Sequence, residues 1–297
     1  MNRIKRYLKI YGDRDRTARQ VVPQGYRGPV TQAEYEGTDS YNDNGVILFE
    51  DDLRVVIATG LDTPSANVKT GDMVQVWILH RTLSPLGAIR TGRDNVICGS
   101  CPHRGIRRLK ANGRYGVVGR RCYVEVDKAA TGIWRCYRRG RYRHATASQY
   151  ESLFGGRYVR FGAYGDPVYI PLDMVASIAA VAKGWTGYTH QWLDSAYVEY
   201  RRFFMASVDN DVESFTATAQ GWRYFRVRAT SDLTVFTNEI RCPASAEGGN
   251  LTTCDHCRLC SGSTGDMEGR KSITIIDHSR IAKSQPLISI TPLAATA

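Results

Sequence analysis

The chain has 297 residues, enough for one large core or two modest domains, and a hydrophobic content of 42% excludes a disordered polypeptide. No apolar run reaches the length of about 18 residues that a membrane crossing needs, and no apolar stretch follows the basic start Met1-Asn2-Arg3-Ile4-Lys5-Arg6, so neither a spanning helix nor a secretory leader is expected and the cytoplasm is the expected location. The net charge of +11, from 40 Lys/Arg against 29 Asp/Glu, points to an acidic partner.

In chain order, residues 1–45 carry no clean period and read as an extended arm. Residues 46–59 read as a hairpin turning at Glu50-Asp51-Asp52, so 1–68 is expected to be an arm plus hairpin and 69–297 the main domain. The first strand of that domain is expected at 73–79. The Lys69-Thr70-Gly71 turn before it lacks the glycine spacing of a phosphate loop, and no dinucleotide fingerprint follows any strand, so no nucleotide cofactor is expected.

Residues 93–143 then form a basic, cysteine-containing insertion. From 104 to 143 there are thirteen Lys/Arg against two acids (Glu125, Asp127), a window that alone carries +11. Eleven of the thirteen are Arg, whose planar fork suits phosphate, and Tyr115, Tyr123, Trp134, Tyr137 and Tyr142 are interleaved as stacking surfaces. Arg107, Arg108, Arg120, Arg121, Arg138, Arg139 and Arg141 are the expected phosphate contacts of a nucleic-acid partner, the bland alternative being a solvated face. The same insertion holds Cys98-Gly-Ser-Cys101 and Cys122, a possible metal set with His103 as a substitute ligand, whereas Cys136 reads as a packed thiol. Three thiolates with an open position would suit a cluster or a zinc ion. A strand is expected at 122–126 and a helix at 128–142.

Further strands are expected at 158–164, 187–191, 202–208, 224–228, 239–242 and 272–277, with helices at 172–183 and 212–220 between them. Pro171 suits a first turn, Gly184 a stop, and Asp209 or Asn210 a cap. Strand–helix alternation implies a parallel sheet, and eight strands over this length fit an α/β fold of the TIM-like (β/α)8 barrel class, an open doubly wound sheet being the alternative. In such a fold chemistry sits at the carboxyl ends of strands. Asp166, His190 and Asp209 stand at successive ends as candidate catalytic groups, with Trp192 as a stacking surface and Asp277 and His278 ending the last strand. Singly, Asp166 before Pro167 reads as a turn and Asp209 as a cap.

The C-terminal thiols Cys242, Cys254, Cys257 and Cys260 lie in CPASAEGGNLTTCDHCRLC. Overlapping C-x-x-C spacings put three ligands within reach of one ion and Cys242 returns as the fourth, with His256 or His278 able to replace it. This predicts zinc, or an iron–sulfur cluster as the alternative. In a cytosolic chain such thiols bind metal or do chemistry.

The order of a strand ending GDP (Gly165-Asp166-Pro167), one ending YTHQW (188–192), one ending ASVD (206–209) and the late CP…TTCDHCRLC resembles bacteriophage proteins related to 7-deazaguanine DNA transglycosylases, distant relatives of the tRNA-guanine transglycosylases. The resemblance spans roughly 69–278. It implies a (β/α)8 barrel with a C-terminal zinc site, and a pentosyltransferase that exchanges guanine for a 7-deazaguanine base, acting in a host cytoplasm if phage-encoded. Asp209 would then be the nucleophile, Asp166 the base-holding or proton-handling partner, and His190 a base contact. The partner would be DNA more than RNA, with no membrane role. The chain departs from the transglycosylase zinc pattern C-x-C-x2-C, having C-x2-C-x2-C with Cys242 upstream. A non-enzymatic zinc module for nucleic acid and an iron–sulfur or radical enzyme are the alternatives.

Overall fold

The computed structural model of the chain describes residues 41–65, 67–263 and 269–277. Residues 1–40 of the expected N-terminal arm, and His278, lie outside these residues. Mixed α/β architecture is built on two sheets. The hairpin strands β1 (Gly45–Glu50) and β2 (Arg54–Thr59) pair antiparallel, and β2 pairs antiparallel with β3 (Met73–His80). From β3 onward the direction is uniform: β7 (Tyr158–Tyr164) runs parallel to β3 and β8 (Gly184–Thr186) parallel to β7. The short β6 (Arg143–His144) closes the other edge beside β1, giving the order β6-β1-β2-β3-β7-β8. All eight positions of β3 are buried, as expected for a central strand covered on both faces.

The second sheet has the order β12-β13-β11-β10-β9, all parallel, from β9 (Tyr188–Thr189), β10 (Met205–Val208), β11 (Tyr224–Arg228), β12 (Glu239–Arg241) and β13 (Ser272–Ile276). Only Gly187 separates β8 from β9. Its carbonyl accepts from Met205 N at 3.0 Å and its N–H donates to the Cys260 carbonyl at 3.1 Å, so one strip of chain edges both sheets. A Cβ there would stand 2.4 Å from the Phe204 ring, which is why the crossing residue is glycine. Strands β3, β7, β8–β9, β10, β11, β13 and β12 therefore point the same way, and their carboxyl ends share one side. Among the described residues no pairing joins β12 back to the first sheet, so these pairings do not close a ring.

Helices α1 (Pro85–Thr91), α2 (Asn95–Cys98), α3 (Ala129–Arg138), α4 (Tyr150–Phe154), α5 (Leu172–Val181), α6 (Asp211–Ala219) and α7 (Cys254–Cys257) fill the connections. Asn210, not Asp209, caps α6, its side chain accepting from Glu213 N at 2.9 Å. Among the described residues no helix is long and apolar enough to cross a membrane.

Several elements differ from expectation for identifiable reasons. Residues 122–126 form no strand: the Arg121 and Cys122 N–H groups donate to the His103 carbonyl (3.1 and 3.0 Å) rather than to a neighbouring strand. The helix expected to reach 142 stops at Arg138, because Gly140 at φ +65° turns the chain and Arg141 N closes back on the Cys136 carbonyl at 3.1 Å. The strand expected from 202 begins only at Met205, because Arg202 still ends a 3-10 run, Ser195–Arg202. Gly184 opens β8 rather than ending α5. An antiparallel ribbon of β4 (Ile106–Leu109) and β5 (Tyr115–Val118), unforeseen in the Arg-rich window, stands apart from both sheets.

Strand β11 carries two fully buried arginines. Arg226 meets Glu239 through Nε at 2.7 Å and Nη2 at 2.8 Å, and Asp211 and Asp232 through Nη1 at 2.9 and 3.2 Å. Arg228 binds Thr274 Oγ1 at 2.8 Å and the Glu247 carboxylate. Burying these charges is tolerable only with their partners in place. Arg226→Met should therefore leave Glu239 buried and uncompensated and lower stability by about 3–5 kcal/mol in denaturant unfolding, with Arg226→Met/Glu239→Gln recovering part of the loss.

Candidate active site at the carboxyl ends of the parallel strands

The loop after β3 is fastened to the strand ends beside it. Ser84 Oγ caps α1 by accepting from Gly87 N at 3.1 Å. Buried Asp94 takes Arg104 Nη2 at 2.7 Å, and the same guanidinium donates to the Gly92 and Gly99 carbonyls at 2.9 and 3.0 Å. Gln191, past the end of β9, completes the attachment: its Oε1 accepts from Ser100 N (3.1 Å) and Ser100 Oγ (2.9 Å), and its Nε2 donates to the Cys98 carbonyl (3.1 Å). Gly99, at φ +55°, has no room for a Cβ against Gln191 Oε1 and the Tyr169 hydroxyl, 2.4 Å away. These bonds set the 3-10 turn Pro102–Arg104, and with it His103, over the ends of β9 and β10.

Asp166, just past β7, is buried. Its Oδ1 accepts from Val168 N at 3.3 Å and its Oδ2 from His190 N at 2.9 Å. Burial pushes its carboxyl up to about 6, and hydrogen bonds from His190 N, Thr189, Val168 N and Gln191 limit the rise. Asp209, just past β10, is a quarter exposed and meets His103 Nε2 at 2.9 Å. Burial pushes this carboxyl up, but the His103 hydrogen bond and the charges of His103, His190 and Arg121 outweigh it and hold it below its ordinary value. Its backbone N–H donates to Glu213 Oε2 at 2.8 Å.

His190 lies between them. Its ring packs edge-on to His103, with centroids 5.2 Å apart, and its Nε2 is shut from solvent without a hydrogen-bond partner. Burial lowers it to about 4, against the opposing charge of Asp209. His103, His190 and Asp209 each present a ligand atom within 4.8 Å of the other two. Among the described residues this is the one group of three His, Cys, Asp and Glu side chains so closed.

The structure thus brings Asp166, His190 and Asp209 together, though in unequal settings: Asp209 faces the rim while Asp166 is enclosed in a turn cap. Trp192 is elsewhere. It is buried, its indole N–H donating to the Ser207 carbonyl at 3.1 Å, so it offers no open stacking face. In the sequence His103 stands out only as a spare thiol substitute and Gln191 only as one letter of YTHQW; the available signal is the Cys98-x2-Cys101-x-His103 spacing. Burial first, then the charges of neighbouring thiols, raises Cys98 well above its ordinary value. Cys101 is likewise pushed up to about 12 by burial, the Cys122 thiol, Asp166 and Asp209 adding to it against a His103 hydrogen bond. Cys101 N donates to the Cys98 carbonyl at 3.1 Å and Cys122 N to the His103 carbonyl at 3.0 Å, which brings these three residues to the same rim, although no three of the sulfurs close within 4.8 Å; Cys136 packs against the core.

Of the basic window, Arg107 and Arg108 lie exposed on β4, Arg107 over the Tyr115 ring at 3.9 Å, and Arg139 is exposed at the end of α3. Arg121 pairs with Asp277 at 3.1 Å, Arg120 reaches the Val124 carbonyl, and Arg138 lies by Trp134. Arg141 is half-buried. Tyr115 and Tyr123 are exposed, but Tyr142 is buried, and Tyr137 and Trp134 are tied to Glu50 and the His80 carbonyl.

The four C-terminal thiols Cys242, Cys254, Cys257 and Cys260 line one cavity with Tyr188, Phe225 and Ile273. Cys254 N donates to the Lys69 carbonyl and Cys242 N to Thr274 O, both at 2.9 Å. Burial pushes Cys260 up, and the other three thiols push it further. Four thiols are the donor type that zinc takes, but among the described residues no three of these sulfurs close within 4.8 Å of one another. Comparison with protein-family models, curated proteins and solved structures gives no match for this chain. Cys257→Ser is expected to purify with about one equivalent less zinc and a lower melting temperature, since metal binding and folding are linked; unchanged metal content would refute the ligand set.

Proposed function

We propose that the chain is an enzyme that modifies nucleic acid, with its reaction centre formed by His103, His190 and Asp209. The observation that carries this reading is their convergence at the carboxyl ends of β9 and β10, bordered by the segment that holds the whole of the chain's net charge. A one-directional strand array with chemistry at its carboxyl ends is the plan of an irregular (β/α)8 barrel, which is the finer fold we propose. The base has to leave its stack to reach a rim of this kind. Guanine-for-7-deazaguanine exchange, implied by the resemblance, asks for two carboxylates open to the substrate. Asp166 is enclosed and holds His190 in place, so the geometry favours a centre built on the two imidazoles and Asp209, with Asp166 as a positioning residue.

A second reading, an iron–sulfur or radical enzyme, has one observation in its favour: Cys98, Cys101 and Cys122 gather at the same rim. Brown colour with iron and sulfide after anaerobic purification would establish it.

Nucleosides digested from DNA and RNA of cells expressing the chain should contain a modified species by mass spectrometry that Asp209→Asn abolishes. A 7-deazaguanine mass would restore the exchange reaction, and unaltered nucleosides under every condition would refute the enzymatic reading. Binding should weaken steeply with salt, and replacing Arg107, Arg108 and Arg139 together by Ala should flatten the log–log slope by about 2–3 units; an unchanged slope would assign these side chains to solubility.

A further inference from the structure

We propose that His103, His190 and Asp209 bind a divalent first-row transition ion. The proposal rests on the reading above only for where the reaction occurs; it adds the cofactor. Its first support is closure: one atom each from a 3-10 turn, a strand end and a second strand end, all within 4.8 Å of one another. Two imidazoles and one carboxylate suit zinc, iron(II), manganese or cobalt, whereas magnesium and calcium prefer oxygen ligands throughout.

The second support is independent. His190 Nε2 is sealed from solvent and meets no hydrogen-bond partner. A buried polar atom left unmet costs about 1–3 kcal/mol, whichever tautomer the ring adopts. The His103–Asp209 hydrogen bond consumes those two groups and leaves His190 out. An ion between the three would take a lone pair from each and account for all of them.

The surroundings are those of a held ligand set. Asp166 Oδ2 accepts from His190 N at 2.9 Å, and Glu213 Oε2 accepts from Asp209 N at 2.8 Å, so acidic side chains grip the backbone of two of the three residues. The His103 carbonyl accepts from Arg121 N and Cys122 N, which fixes the third. Three protein ligands leave coordination positions for water or substrate, and Asp209, a quarter exposed, marks the side from which they are reached. An ion so placed acts as a Lewis acid or lowers the pKa of a bound water.

The test is stoichiometry by elemental analysis of the full chain, with circular dichroism to confirm folding. Asp209→Asn and His190→Ala should each lose one equivalent of metal relative to wild type while retaining the equivalent that Cys257→Ser loses. Asp209→Glu should keep it. Added to wild-type protein that keeps its cysteine-bound zinc, cobalt(II) should fill this site with visible d–d bands, without the thiolate charge-transfer band that the cysteine sites give, and should perturb the imidazole resonances of two histidines. Should a variant fail to fold, the cobalt titration of wild type decides. Unchanged metal content in folded variants, unperturbed imidazoles, or loss of the same equivalent in Cys101→Ser with a thiolate band would overturn the proposal. None of these readouts needs nucleic acid, so a failed substrate assignment leaves the metal result intact.

Discussion

One strip of backbone, from Gly184 to Thr189, serves two sheets, and the arrangement of the rim follows from it. Because β8 and β9 are the same chain interrupted by Gly187, the parallel strands on either side inherit one direction. Groups just past β7, β9 and β10 then reach a common side despite their separation in sequence. Any side chain at Gly187 would collide with the Phe204 ring, separate the strip from β10 and dissolve the common side. The site is thus a property of sheet continuity before it is a property of any residue in it.

Charge is handled in two ways in the same molecule. Between β11 and its neighbours, Arg226 and Arg228 are matched by carboxylates placed against them, and nothing there is left to react. At the rim the matching is incomplete. Asp166 is enclosed with its carboxyl raised to about 6, Asp209 is held below its ordinary value, and the His190 nitrogen is unmet. Polar groups that a stable fold would satisfy or discard mark a functional site.

The strands 158–164 and 224–228 were legible to the residue, because β-branched and aromatic positions alternate between turn formers. Helix α5 was legible from its apolar density, with an end misplaced by the assumption that Gly184 stops a helix rather than opens a strand. The β4–β5 ribbon was not legible, since both its faces carry exposed residues and no period-2 signal survives among arginines. Residues 122–126 look like a strand but spend their first N–H groups on a turn carbonyl, a tertiary choice that no local pattern records. The convergence of Asp166, His190 and Asp209 could be read from strand ends alone. Their unequal roles, and the part of His103, depended on which loop lies over which strand. Trp192 was misread because an indole near a strand end can find a carbonyl inward as readily as a base outward.

Helix α7 sits on the chain just before β3: Cys254 N meets the Lys69 carbonyl, and Asp255 Oδ2 accepts from Asp72 N across 183 residues of sequence. Gly71, at φ +63°, leaves the notch that admits the Asp255 carboxylate. Closing so long a loop gains little until both ends are present and ordered. The entry to β3, a strand otherwise held by β2 and β7, is therefore fastened by a segment 183 residues further along the chain. A cysteine segment far along the chain thus latches the entry of the first parallel strand, so any loss of order around Cys254–Cys257 carries directly to the start of β3.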